Sequence, residues 1–243
     1  MRLILILKTV DSMHYFIWLF LFISFSCFSA SPSTFNQAKK VAGQIFANHH
    51  QTLYCQCQYE NKETDLTSCG MQTASHIKRA RRIEWEHIMA AEHFGQHFKC
   101  WREPLCQKKG KSYKGRQCCE RVDASFRHME SELYNLWPEV GLVNQARSNY
   151  RFAQLTQQGS YYGCRITIDK TSRQVEPSDE VKGLIARAHL FMSQQYSIPL
   201  SSSQNKLFLA WNKRFPPTAW EREWATQVAV IEGYENPYIT QWA

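Results

Sequence analysis

Glycine and proline are scarce in this sequence, which has 10 Gly and 8 Pro among 243 residues. Because this share lies below the usual one, the composition excludes collagen-like and low-complexity chains. Aromatic residues make up 14% of the sequence and hydrophobic residues 44%, so the chain is not largely disordered. A chain of this length buries more than half of the surface that its unfolded form exposes, and we therefore expect a substantial core.

Acidic residues are also in short supply, with 21 Asp and Glu against 29 Lys and Arg. The formal net charge is +8 at pH 7. A positive surplus of this size favours a polyanionic partner. The indication is weak by itself, because many basic proteins bind nothing acidic.

The sequence lacks an apolar run long enough to span a membrane. Its longest run, residues 16–30, has about fifteen residues, whereas a spanning helix needs about 20. Arg2 and Lys8 precede this run and small residues end it, which is the pattern of a secretory signal peptide. We therefore predict a signal peptide over residues 1–30 and a single domain over residues 31–243. The mature protein would be periplasmic or secreted, without stable membrane insertion. An uncleaved membrane anchor is the alternative.

One of the nine cysteines, Cys27, lies in the predicted signal peptide. The other eight are Cys55, Cys57, Cys69, Cys100, Cys106, Cys118, Cys119 and Cys164. An even number of cysteines in an exported chain predicts disulfides. Because eight cysteines allow roughly a hundred connectivities, the sequence leaves the pairing open.

Zinc binding is the alternative role for these cysteines. The closely spaced ones lack the two-residue gap of a zinc knuckle, and export favours oxidation, so disulfides are the preferred interpretation. As a hypothesis, Cys100 and Cys106 pair with Cys118 and Cys119 and hold the basic segment between them.

Local patterns predict the elements of the first half of the domain. A helix is predicted after Thr34, a suitable N-cap, with apolar positions at helical spacing up to Phe46. Residues 53–60 and 82–87 are predicted to be extended. A short helix is predicted over residues 88–94.

Residues 99–121 are rich in Cys and Lys and lack an apolar period, so we predict a loop held by disulfides. Further helices are predicted after Ser178, over residues 202–213, and from a capping box that begins at Thr218. These elements indicate an α+β class that is mostly helical around a small sheet.

The densest group of chemically active side chains lies in residues 82–87, Arg-Ile-Glu-Trp-Glu-His. Glu86 and His87 place a carboxylate beside an imidazole, which together offer a ligand for a hard cation and a general base. Cations that suit phosphate groups precede this pair, namely Lys78, Arg79, Arg81 and Arg82. Without the neighbouring carboxylate and imidazole, a solvated surface would be the simpler interpretation of this run.

Asn144 is the second candidate ligand. It lies in residues 135–149, where Pro138 and Gly141 require a defined loop, and it offers a neutral oxygen just before a predicted helical turn. One carboxylate and one amide would hold a hydrated divalent cation and leave positions for phosphate oxygens. That arrangement suits magnesium-assisted hydrolysis of phosphodiesters. Because asparagines at turns usually hydrogen-bond locally, the residues alone leave this role open.

Several segments in collinear order together resemble one protein family. They are residues 82–87 with 94–95, 129–132, 135–144, 147–152, 208–212 and 233–238. In these segments the sequence closely resembles the endonuclease I family of exported bacterial nucleases. The resemblance runs from about Phe35 to Tyr238, which is nearly all of the predicted mature chain.

The resemblance implies a nuclease with a ββα-metal (His-Me finger-like) active site, without sequence specificity, that acts on RNA as well as DNA. Glu86 and Asn144 match the ligands of one Mg²⁺, and His87 matches the general base that activates the attacking water. Mn²⁺ is also compatible with these oxygen ligands. We expect a monomer.

Other residues take supporting roles in the same resemblance. Arg116 matches an arginine near the scissile phosphate, and Glu130 is expected to support the site from behind. Arg147 and Arg151 are expected to bind phosphates together with the cations that precede Glu86.

Two rival functions fit part of the sequence. A zinc hydrolase could use His87, His93 and His97, although no glutamate follows the first histidine of the 93–97 pair as a zincin requires. A disulfide-rich basic module that binds DNA or acidic envelope polymers would explain the charge and the cysteines. It would not explain the Glu-His pair together with Asn144.

Overall fold

The computed structural model describes residues 31–242 of the chain. The predicted signal peptide, residues 1–30, lies outside the described residues. No helix between residues 31 and 242 combines the length and the apolar character needed to cross a membrane.

Short helices and strands alternate in the first two thirds of the chain, and longer helices follow. The α-helices are α1 (Phe35–Ile45), α2 (Ala91–Gly95), α3 (Lys99–Arg102), α4 (Arg116–Val122), α5 (Ala124–Glu130), α6 (Gly141–Arg147), α7 (Asp179–Tyr196), α8 (Ser202–Arg214), α9 (Ala219–Glu232) and α10 (Pro237–Thr240). The strands are β1 (Tyr59–Glu60), β2 (Glu63–Thr64), β3 (Ile83–His87), β4 (Cys106–Lys108), β5 (Lys111–Tyr113), β6 (Leu136–Val140), β7 (Arg151–Phe152), β8 (Ile166–Asp169) and β9 (Gln174–Pro177). Turns of 3-10 helix lie at Phe46–Asn48, Gln72–Ala74, Lys78–Arg81 and Leu133–Asn135.

The predicted α+β class is confirmed, with one difference in the strands. Within residues 31–242 they form four small sheets, three of two strands and one of three strands, instead of a single sheet. A two-stranded sheet is at best marginally stable alone, so these small sheets depend on the elements packed around them.

Strands β3 and β6 form an antiparallel pair at the centre of the molecule. Glu86 lies opposite Trp137, and His87 lies opposite Leu136. Helix α6 begins directly after β6, where the Gly141 amide donates a 2.8 Å hydrogen bond to the Arg82 carbonyl. A Cβ at Gly141 would lie 2.8 Å from the Arg79 carbonyl oxygen, so only glycine allows this close approach.

The predicted helix starts are confirmed where a side chain caps the first turn. The Thr34 hydroxyl accepts a hydrogen bond from the Gln37 amide at 3.3 Å, and α1 begins at the next residue. The Thr218 hydroxyl accepts from the Glu221 amide at 3.0 Å and opens α9. These bonds satisfy amides that the first helical turn leaves unpaired.

The prediction of a loop over residues 99–121 is wrong. The segment contains α3, the β4–β5 hairpin and the start of α4. These elements have three to seven residues, too few for an apolar period to show in the sequence. The expected disulfides are confirmed, since Cys100 pairs with Cys119 and Cys106 pairs with Cys118.

Two further disulfides hold the other cysteines, Cys55 with Cys164 and Cys57 with Cys69. Residues 53–60, predicted to be extended, form a strand only at Tyr59–Glu60. A turn occupies residues 53–55, and Gln56, which lies between the bridged Cys55 and Cys57, has a positive φ of 57°.

The predicted helix over residues 88–94 begins later, at Ala91. The Asn135 side chain accepts from the Met89 amide at 2.6 Å and donates to the Met89 carbonyl at 3.0 Å. These bonds engage the backbone that would otherwise form the first turn, so the helix starts only after them.

Candidate active site

The central strand pair and the helix after it carry the predicted site residues. Glu86 and His87 end β3, and Asn144 lies in the middle of α6 rather than before a helical turn as predicted. Arg116 begins α4. These four residues line one cleft with a volume of about 1360 Å³. Residues far apart in sequence therefore meet at one place.

Glu86 is buried, and its two carboxylate oxygens have different surroundings. Oε1 accepts a 2.7 Å hydrogen bond from the Tyr54 hydroxyl and lies 3.0 Å from Nη1 of Arg147. Oε2 has no hydrogen-bond donor among the described residues. Burial raises the pKa of Glu86, while the positive charge of Arg147 opposes that rise. The protein thus holds one oxygen and leaves the other free at the cleft.

Arg147 was predicted to bind phosphate, but its side chain is only 1% exposed. Its guanidinium donates to the carbonyl of His87 at 3.0 Å and to the carbonyl of Ile88 at 2.5 Å. With Glu86 as a further partner, Arg147 supports the β3 end from a buried position that borders the cleft. Its burial is a physical reason against the predicted contact with phosphate.

His87 is fixed in one tautomer by a backbone contact. Its Nε2 lies 2.8 Å from the Glu130 carbonyl oxygen, and because a carbonyl only accepts, Nε2 carries the hydrogen. The other ring nitrogen, Nδ1, then has a free lone pair. Burial, followed by the positive charge of Arg116, lowers the pKa of His87 to about 3, so the imidazole is neutral. The Phe35 ring packs on this imidazole with 4.7 Å between the centroids.

Arg116 also lines the cleft, and its side chain is partly exposed. It forms an ion pair with Glu130 and a second one with Glu120 at 3.2 Å. Its guanidinium also lies over the Phe35 ring, 5.0 Å from the centroid. Glu130 itself is buried, and burial raises its pKa to about 7 against the opposing charge of Arg116. Glu130 therefore contacts both His87 and Arg116 from behind the cleft.

The other predicted phosphate ligands lie at different distances from this centre. Arg79 lines the cleft and binds Glu84 at 2.6 Å, and Arg82 binds the same carboxylate at 2.8 Å. Lys78, Arg81, Arg82 and Arg151 are exposed but do not line the cleft. Only Arg79 of the 78–82 run is therefore placed beside the central residues.

Sequence reasoning missed the cations on α1. Lys39 and Lys40 line the cleft together with Asn36 and Gly43, at the helical spacing of one face. This polar face lies away from the buried Ala38, Ala42 and Ile45. The same spacing that predicted the buried stripe could have identified the basic face.

Tyr54 and Lys62 were also missed. Tyr54 donates to Glu86 across a sequence separation of 32 residues, which no local pattern reveals. Lys62 lines the cleft from the turn between β1 and β2.

The geometry does not support the zinc alternative. His93 Nε2 lies 2.9 Å from the Asn149 carbonyl, and His97 is exposed outside the cleft. Among residues 31–242, no three His, Cys, Asp or Glu side chains converge in a group that could hold a metal ion.

Fold and site together define a class: a disulfide-braced α+β protein with a basic cleft suited to a polyanionic ester. The cleft contains a free carboxylate oxygen, an amide oxygen and a neutral imidazole with an unprotonated nitrogen.

Comparison with known proteins identifies the family. The sequence matches the endonuclease I family over residues 28–242. It is 39% identical to an extracellular deoxyribonuclease of Aeromonas hydrophila over 212 residues, which cover 85% of this chain and 88% of that protein. It is 36% identical to a periplasmic deoxyribonuclease of the same organism, with 85% of each chain covered. It is 40% identical to an endonuclease-1 of Buchnera aphidicola subsp. Baizongia pistaciae, with 84% of this chain and 82% of that protein covered. The chain belongs to the endonuclease I family and is a nuclease.

Proposed function

We propose that this protein is a Mg²⁺-dependent endonuclease that hydrolyses phosphodiester bonds of DNA, and also of RNA, without sequence specificity. The observation that carries the proposal is the convergence of Glu86, His87 and Asn144 on one basic cleft. The names of the relatives, which are deoxyribonucleases and endonucleases, support it.

The donor set of the cleft fits a hard divalent cation. Glu86 Oε2 accepts no hydrogen bond within residues 31–242, and the partly buried Asn144 side chain has no hydrogen-bond partner there either. A carboxylate and an amide oxygen suit Mg²⁺, and Mn²⁺ as the second choice. When bound, the ion would neutralise charge that develops on the phosphate and the leaving oxygen. The pairing of β3 with β6, followed at once by α6, supports the ββα arrangement implied by the family.

His87 supplies the base. Because its Nε2–H is held by the Glu130 carbonyl, the free Nδ1 is the nitrogen that takes a proton from the attacking water. The Phe35 ring restrains the imidazole plane, so the lone pair keeps its direction.

The cations of the cleft bind the substrate backbone. Arg116 approaches the scissile phosphate, and Lys39, Lys40 and Lys62 hold neighbouring phosphates. Contacts with phosphate carry no information about the bases, which accounts for cleavage without sequence specificity.

The disulfides favour an oxidising compartment, and the extracellular and periplasmic names of the relatives agree with it. We therefore propose export to the periplasm or the medium. We also propose that the protein acts as a monomer.

The test is cleavage of supercoiled plasmid with Mg²⁺ and with EDTA by the wild type and by His87→Ala. We expect cutting only by the wild type with Mg²⁺. His87→Ala should lose about 10²–10⁴-fold in rate while it keeps DNA binding. The matched control is His97→Ala, an exposed histidine outside the cleft, which should cut normally.

Two results would contradict the proposal. Cutting that survives EDTA would exclude the metal requirement, and DNA binding by an oxidised wild type that never cuts would favour the non-catalytic binding module. Loss of activity in His97→Ala would instead revive the zinc alternative.

A further inference from the structure

The β4–β5 hairpin carries a concentrated group of cations outside the central cleft. Lys108, Lys109 and Lys111 are exposed, and none forms an ion pair with an acidic side chain in the part of the chain that the structure describes. Lys108 and Lys111 lie directly opposite each other across the two strands. Like charges in this position destabilise a sheet, and a bound anion would relieve the repulsion.

The turn of this hairpin places a third lysine at its tip. Lys109 and Gly110 have φ angles of 50° and 74°, so the turn has positive φ at both central residues. Glycine, asparagine and aspartate usually fill such positions, because a longer side chain is disfavoured there. The hairpin therefore presents three ammonium groups within four residues, although the turn conformation is unfavourable for Lys109 and the like charges of Lys108 and Lys111 repel each other.

The hairpin is held in a fixed direction relative to the cleft. Cys106 at its base is bonded to Cys118 in α4, the helix that begins with Arg116. A hairpin of this length is marginally stable alone, so the disulfide restrains its position. The lysines at the tip are thus presented by a braced element.

Arg116 connects this hairpin to the cleft. A second hollow, with a volume of about 570 Å³, is lined by Lys108, Lys109, Lys111, Tyr113, Lys114, Arg116 and Gln117. Arg116 also lines the central cleft, so the two hollows share a wall. Even a fully extended chain spans at most about 18 Å from Lys111 to Arg116. Since one strand rises about 3.4 Å per nucleotide, the backbone of Lys111 lies within roughly five base pairs of Arg116, and Lys108 lies directly across the hairpin from Lys111.

We propose that the β4–β5 hairpin is a second phosphate-binding surface that holds the nucleic acid where it leaves the cleft. The inference rests on the proposed function, because it takes the cleft as the place where the same nucleic acid is cut. The hairpin adds affinity for long substrates and contributes nothing to the chemical step.

The test replaces Lys108, Lys109 and Lys111 by Gln together. Binding of a duplex of about 30 base pairs is measured in EDTA, which prevents cutting, by fluorescence anisotropy at several salt concentrations. Each lost phosphate contact lowers the slope of log Kd against log salt by about 0.9, so we expect a decrease of about 1–3.

The matched control replaces Lys170, Lys206 and Lys213 by Gln. These lysines are exposed and line neither hollow, and their replacement removes the same charge as the hairpin variant. The control should therefore keep the wild-type slope of log Kd against log salt. Disulfide mapping and thermal melting confirm that each variant is folded, and the single variant Lys111→Gln, with an expected slope change of about 0.9, serves if the triple variant does not fold.

Equal slopes for the two triple variants would overturn the hairpin inference while the wild type still cuts plasmid. Failure of the proposed function would look different, since the wild type itself would not cut. If the hairpin variant bound duplex normally but lost binding to vesicles of phosphatidylglycerol, the surface would serve an anionic lipid and the inference would be wrong.

Discussion

At the level of single residues, the most informative contacts are those of the Glu86 carboxylate, whose two oxygens have different surroundings. Tyr54 and Arg147 both act on Oε1, at 2.7 Å and 3.0 Å, and so orient the side chain. For Glu86 as the proposed metal ligand, groups that orient it in this way should matter nearly as much as the ligand itself.

Tyr54→Phe should therefore weaken the response to metal more than it weakens folding. We expect the Mg²⁺ concentration for half-maximal cleavage to rise by about 10-fold, because Glu86 loses one of its two restraints. The measurement is the cleavage rate as a function of Mg²⁺, supported by Mn²⁺ binding to the His87→Ala protein with and without the change. Tyr238→Phe, a partly buried tyrosine away from the cleft, is the matched control and should not move the midpoint. An unchanged midpoint in Tyr54→Phe would show that Arg147 alone orients Glu86.

The same contacts show what could be predicted for the site from the sequence. Glu86 and His87 are neighbours at the end of a strand, so their association is visible in the sequence. The burial of Arg147 is not visible, because an arginine beside a basic segment looks like a surface cation until its carbonyl partners are known. Tyr54 is brought to Glu86 by tertiary packing beside a long-range disulfide, which no local pattern encodes.

At the level of elements, two buried carboxylates lie where the end of α9 meets the segment that follows α5. Glu132 accepts hydrogen bonds from the hydroxyls of Tyr196 and Tyr234, both at 2.7 Å. Glu232, at the end of α9, accepts from the Leu133 amide at 3.1 Å. Burial, followed by the nearby charge of Glu132, raises the pKa of Glu232 from 4.5 to about 7.

Glu232→Gln should reduce the pH dependence of stability. Because its pKa is higher in the folded state, Glu232 binds more protons there than in the unfolded chain. Its contribution to the free energy of unfolding is therefore complete below pH 4.5 and is lost as the pH rises through about 7. Glutamine does not ionise. The free energy of unfolding of the variant, relative to that of the wild type, should therefore rise by about 1–3 kcal/mol from pH 5 to pH 8. Thermal melting at both pH values measures this difference. Glu235→Gln, an exposed neighbour, should follow the wild type, and parallel curves for Glu232→Gln would contradict the prediction.

The cap of α9 allows a second prediction for an element. Thr218→Ala removes the hydroxyl that accepts from the Glu221 amide and should cost about 1 kcal/mol of unfolding free energy in urea. Thr226→Ala, at an exposed position inside the same helix, should cost nothing or stabilise slightly. Equal losses would show that the cap bond adds nothing to stability.

Elements were predictable from sequence in proportion to their length and their caps. Helix α7 has 18 residues with an apolar stripe, so its period stands out. Helices α3 and α4 have four and seven residues. One disulfide joins α3 to α4 and a second joins β4 to α4, and these bridges supply stability that a packing face would otherwise provide. The information for such elements lies in covalent pairing, which the cysteine spacing only suggests.

At the level of the whole molecule, the disulfides differ in the length of chain that they close. Cys55 and Cys164 are separated by 109 positions, whereas Cys106 and Cys118 are separated by 12. The long bridge joins the segment before β1 to the segment before β8. It thus links parts of the molecule that local bridges leave independent.

Replacing Cys55 and Cys164 by Ala should lower the free energy of unfolding by about 5 kcal/mol, against about 3 kcal/mol for Cys106 and Cys118. The physical reason is that a longer closed loop restricts the unfolded chain more. Urea unfolding of both double variants without reductant measures the two losses. A larger loss for the short bridge would show that native packing near Cys106, and not chain entropy, sets the order.

The packing of Phe35 on His87 has a practical consequence for how the protein is handled. The stretch before α1 is tied down, since the Ser131 hydroxyl donates to the Pro32 carbonyl at 2.6 Å and the Ser31 hydroxyl donates to Glu232. A purification tag or fusion partner attached just ahead of residue 31 would be only a few residues from Phe35, whose ring packs on His87. At the other end, the Trp242 indole donates to the Asn212 carbonyl of α8, outside the cleft, so the carboxyl terminus is the place for an affinity handle.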